Sequence, residues 1–249
     1  MAERESVLSW ATVRGYRPGD NPARRPGHLD KLLPKRHKVQ KVEHHAALSY
    51  AELPAFHAEL RKQAGMGALA LRFAIMTAAR TGEVTGAQWS EIDLEAAVWA
   101  VPEGRMKAQR EHRVPLSQES MRVLKAARKH QSDESVAAVF EGRRGKSMCT
   151  AGMSAALKSM KRTDVTVHGF RSTFRDWCAE QTAFPREIAE AALAHLLTNK
   201  AEAAYQRGDL LERRRTLMDQ WARFATSPPR AKQASNVTPI SRARGRGRK

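Results

Sequence analysis

The sequence predicts an α+β fold, mainly helical, with a small antiparallel sheet near the N-terminal part of the domain. Three observations predict it. "GALALRFAIMTAA" (67–79) is apolar nearly all round, as in a helix buried on every side. "AVWAV" (97–101) and "HRVPL" (112–116) are β-like runs on either side of the polar "PEGRMKAQRE", which reads as a hairpin loop or arm. Beyond these, helical periodicity dominates, over 152–161, 168–182, 185–195, 200–206 and 210–224.

Each element has local support. "SVLSWATVRGY" is a short helix candidate, too small to bury its own apolar face, so it packs on something else or lies open. "RPGDNPARRPGHLDKLLPKRHK" is broken by proline and glycine and reads as a linker or extended arm. A domain begins near Ser49, where "SYAE" forms a capping box with Glu52. The buried helix 67–79 ends at "RTGE". Ser117 caps "QESMRVLKAARKH", and "VAAVF" offers a further short strand. Asn199 and Glu202 cap the helix carrying Tyr205. "LLERRRTLMDQWARFA" has Leu211, Met218 and Trp221 to bury, on its own domain or on a neighbouring subunit. The basic tail is low in complexity and reads as disordered.

Charge narrows the partners. The 249 residues carry 44 Lys and Arg against 26 Asp and Glu, a net charge of +18. All parts contribute: seven basic and no acidic residues from Pro228 onward, ten basic and five acidic up to His45, and 27 basic against 21 acidic between. Such a chain suits nucleic acid, whose phosphates it neutralises with release of counterions; a solvated basic surface or an anionic membrane is the blander reading. No apolar run reaches the roughly 18–20 residues of a membrane span, and no signal peptide is evident. Cys149 and Cys178 are the only cysteines, without a CxxC, which fits a reducing cytosol and neither a disulfide framework nor a thiolate zinc site.

In "VTVHGFRSTFRDW", His168, Arg171 and Arg175 stand at i, i+3 and i+7 of a helix, beside an aromatic face of Phe170, Phe174 and Trp177. Arginine suits phosphate because its planar fork binds two oxygens. Singly, each candidate also has a structural explanation. Arg80 can be a cation at a helix C-terminus, Lys107 a solvated loop lysine, His195 a satisfied helix-end histidine and Tyr205 half-buried packing. Arg175 is a structural ion pair or a phosphate contact.

Taken in order, Arg80, Lys107, His168-x-x-Arg171, His195 and, ten residues on, Tyr205 suit phosphoryl transfer without metal. With "ARTGEVTGAQWSEIDL", "RMKAQREHRVPLS", "VTVHGFRSTFRDWCAE" and "LAHLLTNKAEAAYQRGD", the chain resembles the tyrosine recombinases, most of all phage-type and genomic-island integrases. The resemblance implies the catalytic fold of that family. It makes Tyr205 the nucleophile on a DNA phosphodiester, giving a 3′-phosphotyrosine and a free 5′-hydroxyl. Arg80 and Arg171 hold the non-bridging oxygens, Lys107 protonates the leaving oxygen, His168 assists proton transfer at the tyrosine and His195 hydrogen-bonds the phosphate. Glu83 supports the site. No cofactor, metal or ATP is expected: the sequence has no carboxylate cluster of the two-metal kind and no P-loop.

The implied partners are double-stranded DNA with attachment sites and, on DNA, three further copies in a homotetramer; the implied location is cytoplasmic, on the nucleoid. Residues 1–47 read as a basic arm with the remnant end of a core-binding domain and a linker, 48–227 as the catalytic domain and 228–249 as the tail. Only "VLSWATVRGYRPGDNPAR" matches a core-binding domain, so the expectation is an N-terminally truncated chain with weak, salt-sensitive, largely non-specific DNA binding. An inactive DNA-binding remnant and a relaxing topoisomerase of the same chemistry are the competing readings.

Overall fold

The computed structural model describes residues 2–33, 45–133, 135–195 and 209–229. The chain divides into two units, Met1–His44 and His45–Lys249. In the first, helix α1 (Ala2–Val13) begins earlier than its apolar run, with Glu3 and Glu5 in the first turn, where the helix dipole favours them. The described part of the segment that follows, up to Leu33, folds back on α1 rather than running extended. Asn21 Nδ2 donates to Glu5 O and Ser9 Oγ, both at 2.7 Å, and Arg17 Nη1 donates to Thr12 Oγ1 at 3.0 Å. Gly15, at φ 74°, makes the reversal possible. Side-chain donors thus replace the ladder that the prolines forbid. Val7, Trp10, Val13 and Tyr16 stay exposed within this unit.

The second unit is built around one helix. Helix α2 (Leu53–Leu60) leads to α3 (Met66–Thr77), of whose twelve residues nine are buried, as its all-apolar pattern requires. Ser49 precedes the turn before α2 without a side-chain cap bond, so the expected capping box is absent. Helix α3 ends because Ala78 turns left-handed (φ 51°), and a short helix α4 (Thr81–Thr85) follows. Strands β1 (Ile92–Asp93), β2 (Val98–Val101) and β3 (His112–Pro115) form an antiparallel sheet in that order. Trp99 pairs with Val114, and both face the core. The "VAAVF" run gives only a single bridge, Ala138 to Gln88; the third strand is β1 instead.

Among the described residues five more helices follow: α5 (Gln118–Lys129), α6 (Ala151–Ser159), α7 (Gly169–Gln181), α8 (Arg186–Ala192) and α9 (Leu211–Ala225). Ser117 caps α5 as expected, accepting from Ser120 N at 3.3 Å. Helices α5, α6 and α9 pack on α3. The aromatic face of α7 is buried: Phe170 lies 5.1 Å from Phe56 on α2, and Phe174 and Trp177 lie 5.2 and 5.1 Å from Trp221 on α9. Each such ring contributes about 1.5–3 kcal/mol by leaving water. Trp221 Nε1 donates to Ile75 O at 2.7 Å, so α9 packs on its own domain. Residues 199–206, with the predicted cap and helix there, and the tail from 230 lie outside the described residues. Among the described residues no helix is long and apolar enough to cross a membrane.

Buried His57 on α2 has no partner for Nε2 among the described residues, and burial lowers its pKa from 6.5 to about 4, against the raising effect of Glu119. The unfolded chain therefore takes up this proton first as pH falls. The contribution of neutral His57 is complete above pH 6.5 and is lost towards pH 4. Urea unfolding between these values should show a stability loss of up to ~3 kcal/mol that is reduced in His57→Leu; an unchanged pH slope in that variant contradicts the assignment.

Candidate active site

Three of the predicted residues, Arg80, Arg171 and His195, meet at the C-terminal end of α8. Ala194 turns left-handed at φ 49°, ending the helix at Ala192, short of its predicted limit. The carbonyls left free there are taken by two arginines from other elements. Arg171 Nη2 donates to Leu193 O at 2.7 Å, and Arg80 Nη2 donates to Ala194 O at 3.2 Å and to Leu193 O at 3.4 Å. Cations at a helix C-terminus are favoured by its dipole. Arg171 Nη1 also donates to Ala78 O, the carbonyl turned out where α3 ends. Its Nη2 lies 3.2 Å from His195 Nε2.

Arg80 is not the C-terminal cation of α3. It occupies the N-cap position of α4, with Glu83 in the first turn. Glu83 accepts from Arg80 N at 2.8 Å and from Arg80 Nη1 at 2.7 Å. Glu83 is buried, so a single carboxylate both caps the helix and aims the guanidinium.

His168 opens α7, exposed at its N-terminus, with the His45 ring centroid 4.5 Å from its own. Partial burial of the ring lowers its pKa below 6.5, and the neighbouring His45, Arg171, Arg80 and His195 act in the same direction. The glycine in "HGFR" has a steric reason. A Cβ on Gly169 would lie 2.0 Å from Ala46 O, because the chain at 46–48 straps the start of α7. Thr166 N donates to Ala46 O at 3.0 Å and Thr173 Oγ1 to Leu48 O at 2.6 Å.

Lys107 stands apart. It is exposed in the β2–β3 connection, and among the described residues no hydrogen bond or ion pair joins it to the arginines. The base of its loop is fixed by Arg105, which binds the Glu91 carboxylate and donates to Glu83 O. Tyr205 lies outside the described residues. Arg175 forms an ion pair with Glu190 at 3.2 Å.

Sequence reasoning missed three contributors. Glu190, buried on α8, accepts from His195 Nδ1 at 2.6 Å. Burial works to raise its pKa, but the His195 hydrogen bond and the Arg175 charge prevail and hold it below the usual range. His112 on β3 is driven down to about 4 by burial, then by Arg214, and feels Glu83 and Arg80. Arg105 couples the Lys107 loop to the Arg80 turn. The spacing of Glu190 from His195, five residues, was a usable signal; nothing local marked the other two.

A model described as the phage integrase family matches residues 46–208, a span that includes every predicted site residue. The chain is 35% identical over 149 residues to prophage integrase IntA of Escherichia coli (strain K12), covering 59% of this chain and 36% of that protein. It is 29% identical over 202 residues to the integrase of Enterobacteria phage P4, covering 74% and 46%. The chain thus spans less than half the length of these relatives. Among solved structures it is similar to a lambda integrase dimer bound to a COC′ core site (TM-score 0.56, 14% identity, 79% of this chain and 70% of that one). It is similar also to the Tn1549 transposon integrase in complex with circular intermediate DNA (TM-score 0.53, 15% identity, 83% and 78%). The predicted tyrosine-recombinase fold, mainly helical with a small antiparallel sheet, is the fold found.

Two glycines test how the site is positioned. Gly169→Ala should lower stability by about 1–3 kcal/mol through forced displacement of the strap. Gly82→Ala, with open space around its Cβ, should be neutral or slightly stabilising. Equal effects in urea unfolding would refute the close-approach explanation.

Proposed function

The chain belongs to the phage integrase family, and on that premise we propose that residues 48–227 form a catalytic domain that cuts and rejoins double-stranded DNA through Tyr205. The observation that carries this reading is the convergence of Arg80, Arg171 and His195 on the end of α8, within hydrogen-bond reach of one another or of the same carbonyls. Basic groups gathered in this way are largely oriented before a phosphate arrives.

In this reading the Tyr205 oxygen attacks phosphorus in line with the 5′-oxygen. The phenol proton passes to neutral His168, whose lowered pKa keeps it a base at neutral pH. The P–O5′ bond breaks as the new P–O bond forms, and the 5′-oxygen takes a proton from Lys107. Arg80, Arg171 and His195 neutralise the non-bridging oxygens. Lys107 reaches the phosphate by movement of its exposed loop onto bound DNA. Reversal by a 5′-hydroxyl rejoins the strand, since the phosphotyrosine conserves the bond energy.

Tyr205 is favoured over the other tyrosines on chemical grounds. The Tyr50 hydroxyl donates to Glu180 at 2.7 Å, and that hydrogen bond raises its pKa above 10.0. Tyr16 belongs to the other unit. Residues 1–47, as a basic arm and linker, and the tail 228–249 supply further phosphate contacts. Attachment sites on cytoplasmic, nucleoid DNA are the substrate, and a homotetramer on two duplexes is the working assembly.

A nicked suicide duplex tests this. The chain should form an SDS-resistant adduct in EDTA; Tyr205→Phe should form none, and Arg171→Ala should be slower by about 10²–10³. Failure of any adduct on a suitable site favours a DNA-binding remnant, and supercoil relaxation without strand exchange favours a topoisomerase. Filter binding should show affinity falling steeply between low and moderate salt; a flat series contradicts phosphate-dominated binding.

A further inference from the structure

We propose that Glu190 is a positioning residue that fixes the tautomer of His195 and, with it, the direction in which that histidine acts; this deepens the reading above and rests on it for its consequence. The inference starts from hydrogen-bond valence. Arg171 Nη2 lies 3.2 Å from His195 Nε2, and a guanidinium can only donate. His195 Nε2 therefore presents a lone pair, and the ring proton sits on Nδ1. The second contact requires the same form: Nδ1 lies 2.6 Å from Glu190 Oε2, a carboxylate that can only accept. Two independent partners select one tautomer.

The backbone holds ring and carboxylate together. His195 N donates to Glu190 O at 3.0 Å, and the left-handed turn at Ala194 folds the chain back along the end of α8. The other contacts of Glu190 explain it less well. Arg175 and Arg186 approach at 3.2 and 3.4 Å, but their side chains are 50% and 80% exposed, and such surface pairs contribute little. Among the described residues Glu190 is the anion that touches the His195 ring and Arg171 the cation, while Arg80, paired with Glu83, shares the Leu193 carbonyl with Arg171.

The consequence concerns the phosphate. When a phosphate oxygen draws Arg171 towards itself, Nε2 takes a proton from solvent. The imidazolium then donates Nε2–H to that oxygen while Nδ1–H stays on Glu190, whose carboxylate balances the new charge. Glu190 acts through His195 and does not touch the phosphate.

The tautomer can be read without any DNA. In uniformly ¹⁵N-labelled protein at neutral pH, with His195→Gln for assignment, the His195 Nδ1 shift should be that of a protonated nitrogen and the Nε2 shift that of a bare one. Glu190→Ala should weaken this preference, leaving only the Arg171 contact to support it, and the wild-type shifts alone decide the matter if that variant does not fold. A proton on Nε2 in the wild type, or an undiminished preference for Nδ1–H in Glu190→Ala, overturns the proposal. In the adduct assay, Glu190→Gln should be slower by about 10–100-fold, the range known for carboxylates that orient metal-bound histidines, with DNA affinity unchanged. Arg186→Ala, which removes an exposed pair, should leave the rate alone. Equal rates for Glu190→Gln and wild type also overturn the proposal, whereas the absence of any wild-type adduct sinks the enzymatic reading and leaves the tautomer measurement to judge Glu190.

Discussion

A guanidinium that is 6% exposed has no water to satisfy its donors, and Arg171 is in that position. It takes Ala78 O, Leu193 O and the His195 lone pair instead. Burial, helped by the Arg80 charge, lowers its pKa to about 10, which still leaves it charged at neutral pH. Much of the local fold follows from satisfying this one group. Helix α3 must end in a left-handed turn that points Ala78 O at it, and α8 must stop where Leu193 O is free. Helix α7, anchored by Phe170, Phe174 and Trp177, delivers the side chain between them. A lysine, with its single ammonium, could not hold both carbonyls in one plane.

Two buried acids keep this cationic centre stable. Glu83 neutralises Arg80 from the α4 side, and Glu190 faces His195 from the α8 side. A buried pair of this kind contributes little net stability when intact and costs several kcal/mol when one partner is lost. Its value here is orientation: each acid fixes the direction of one basic side chain.

The architecture was readable where one interaction decides the local outcome. The all-apolar 67–79 run gave α3 to within two residues, Ser117 gave the start of α5, and the aromatic rhythm of 170–177 gave the buried face of α7. Contacts between distant segments were not readable. Arg80 looked like the end of one helix because its bond to Glu83, which makes it the start of the next, competes with the dipole of α3. The strap at 46–48 that demands Gly169 lies more than 120 residues away in sequence. The "VAAVF" strand failed because β2 already has a partner on each edge, β1 and β3. The segment after α1 looked extended because prolines hide what Asn21 and Arg17 bind.

All the proposed chemistry depends on which oxygen attacks DNA. Tyr16, Tyr50 and Tyr205 are the only tyrosines in the chain. The most direct measurement is protease digestion of the protein–DNA covalent complex, nuclease trimming, and mass spectrometry of the nucleotide-bearing peptide. The expected result is a 3′-phosphonucleotide on the peptide containing Tyr205, with the other two tyrosines unmodified. A nucleotide on Tyr16, on Tyr50 or on any serine, or one linked through its 5′-phosphate, would contradict a site built from Arg80, Arg171 and His195 around a Tyr205 nucleophile.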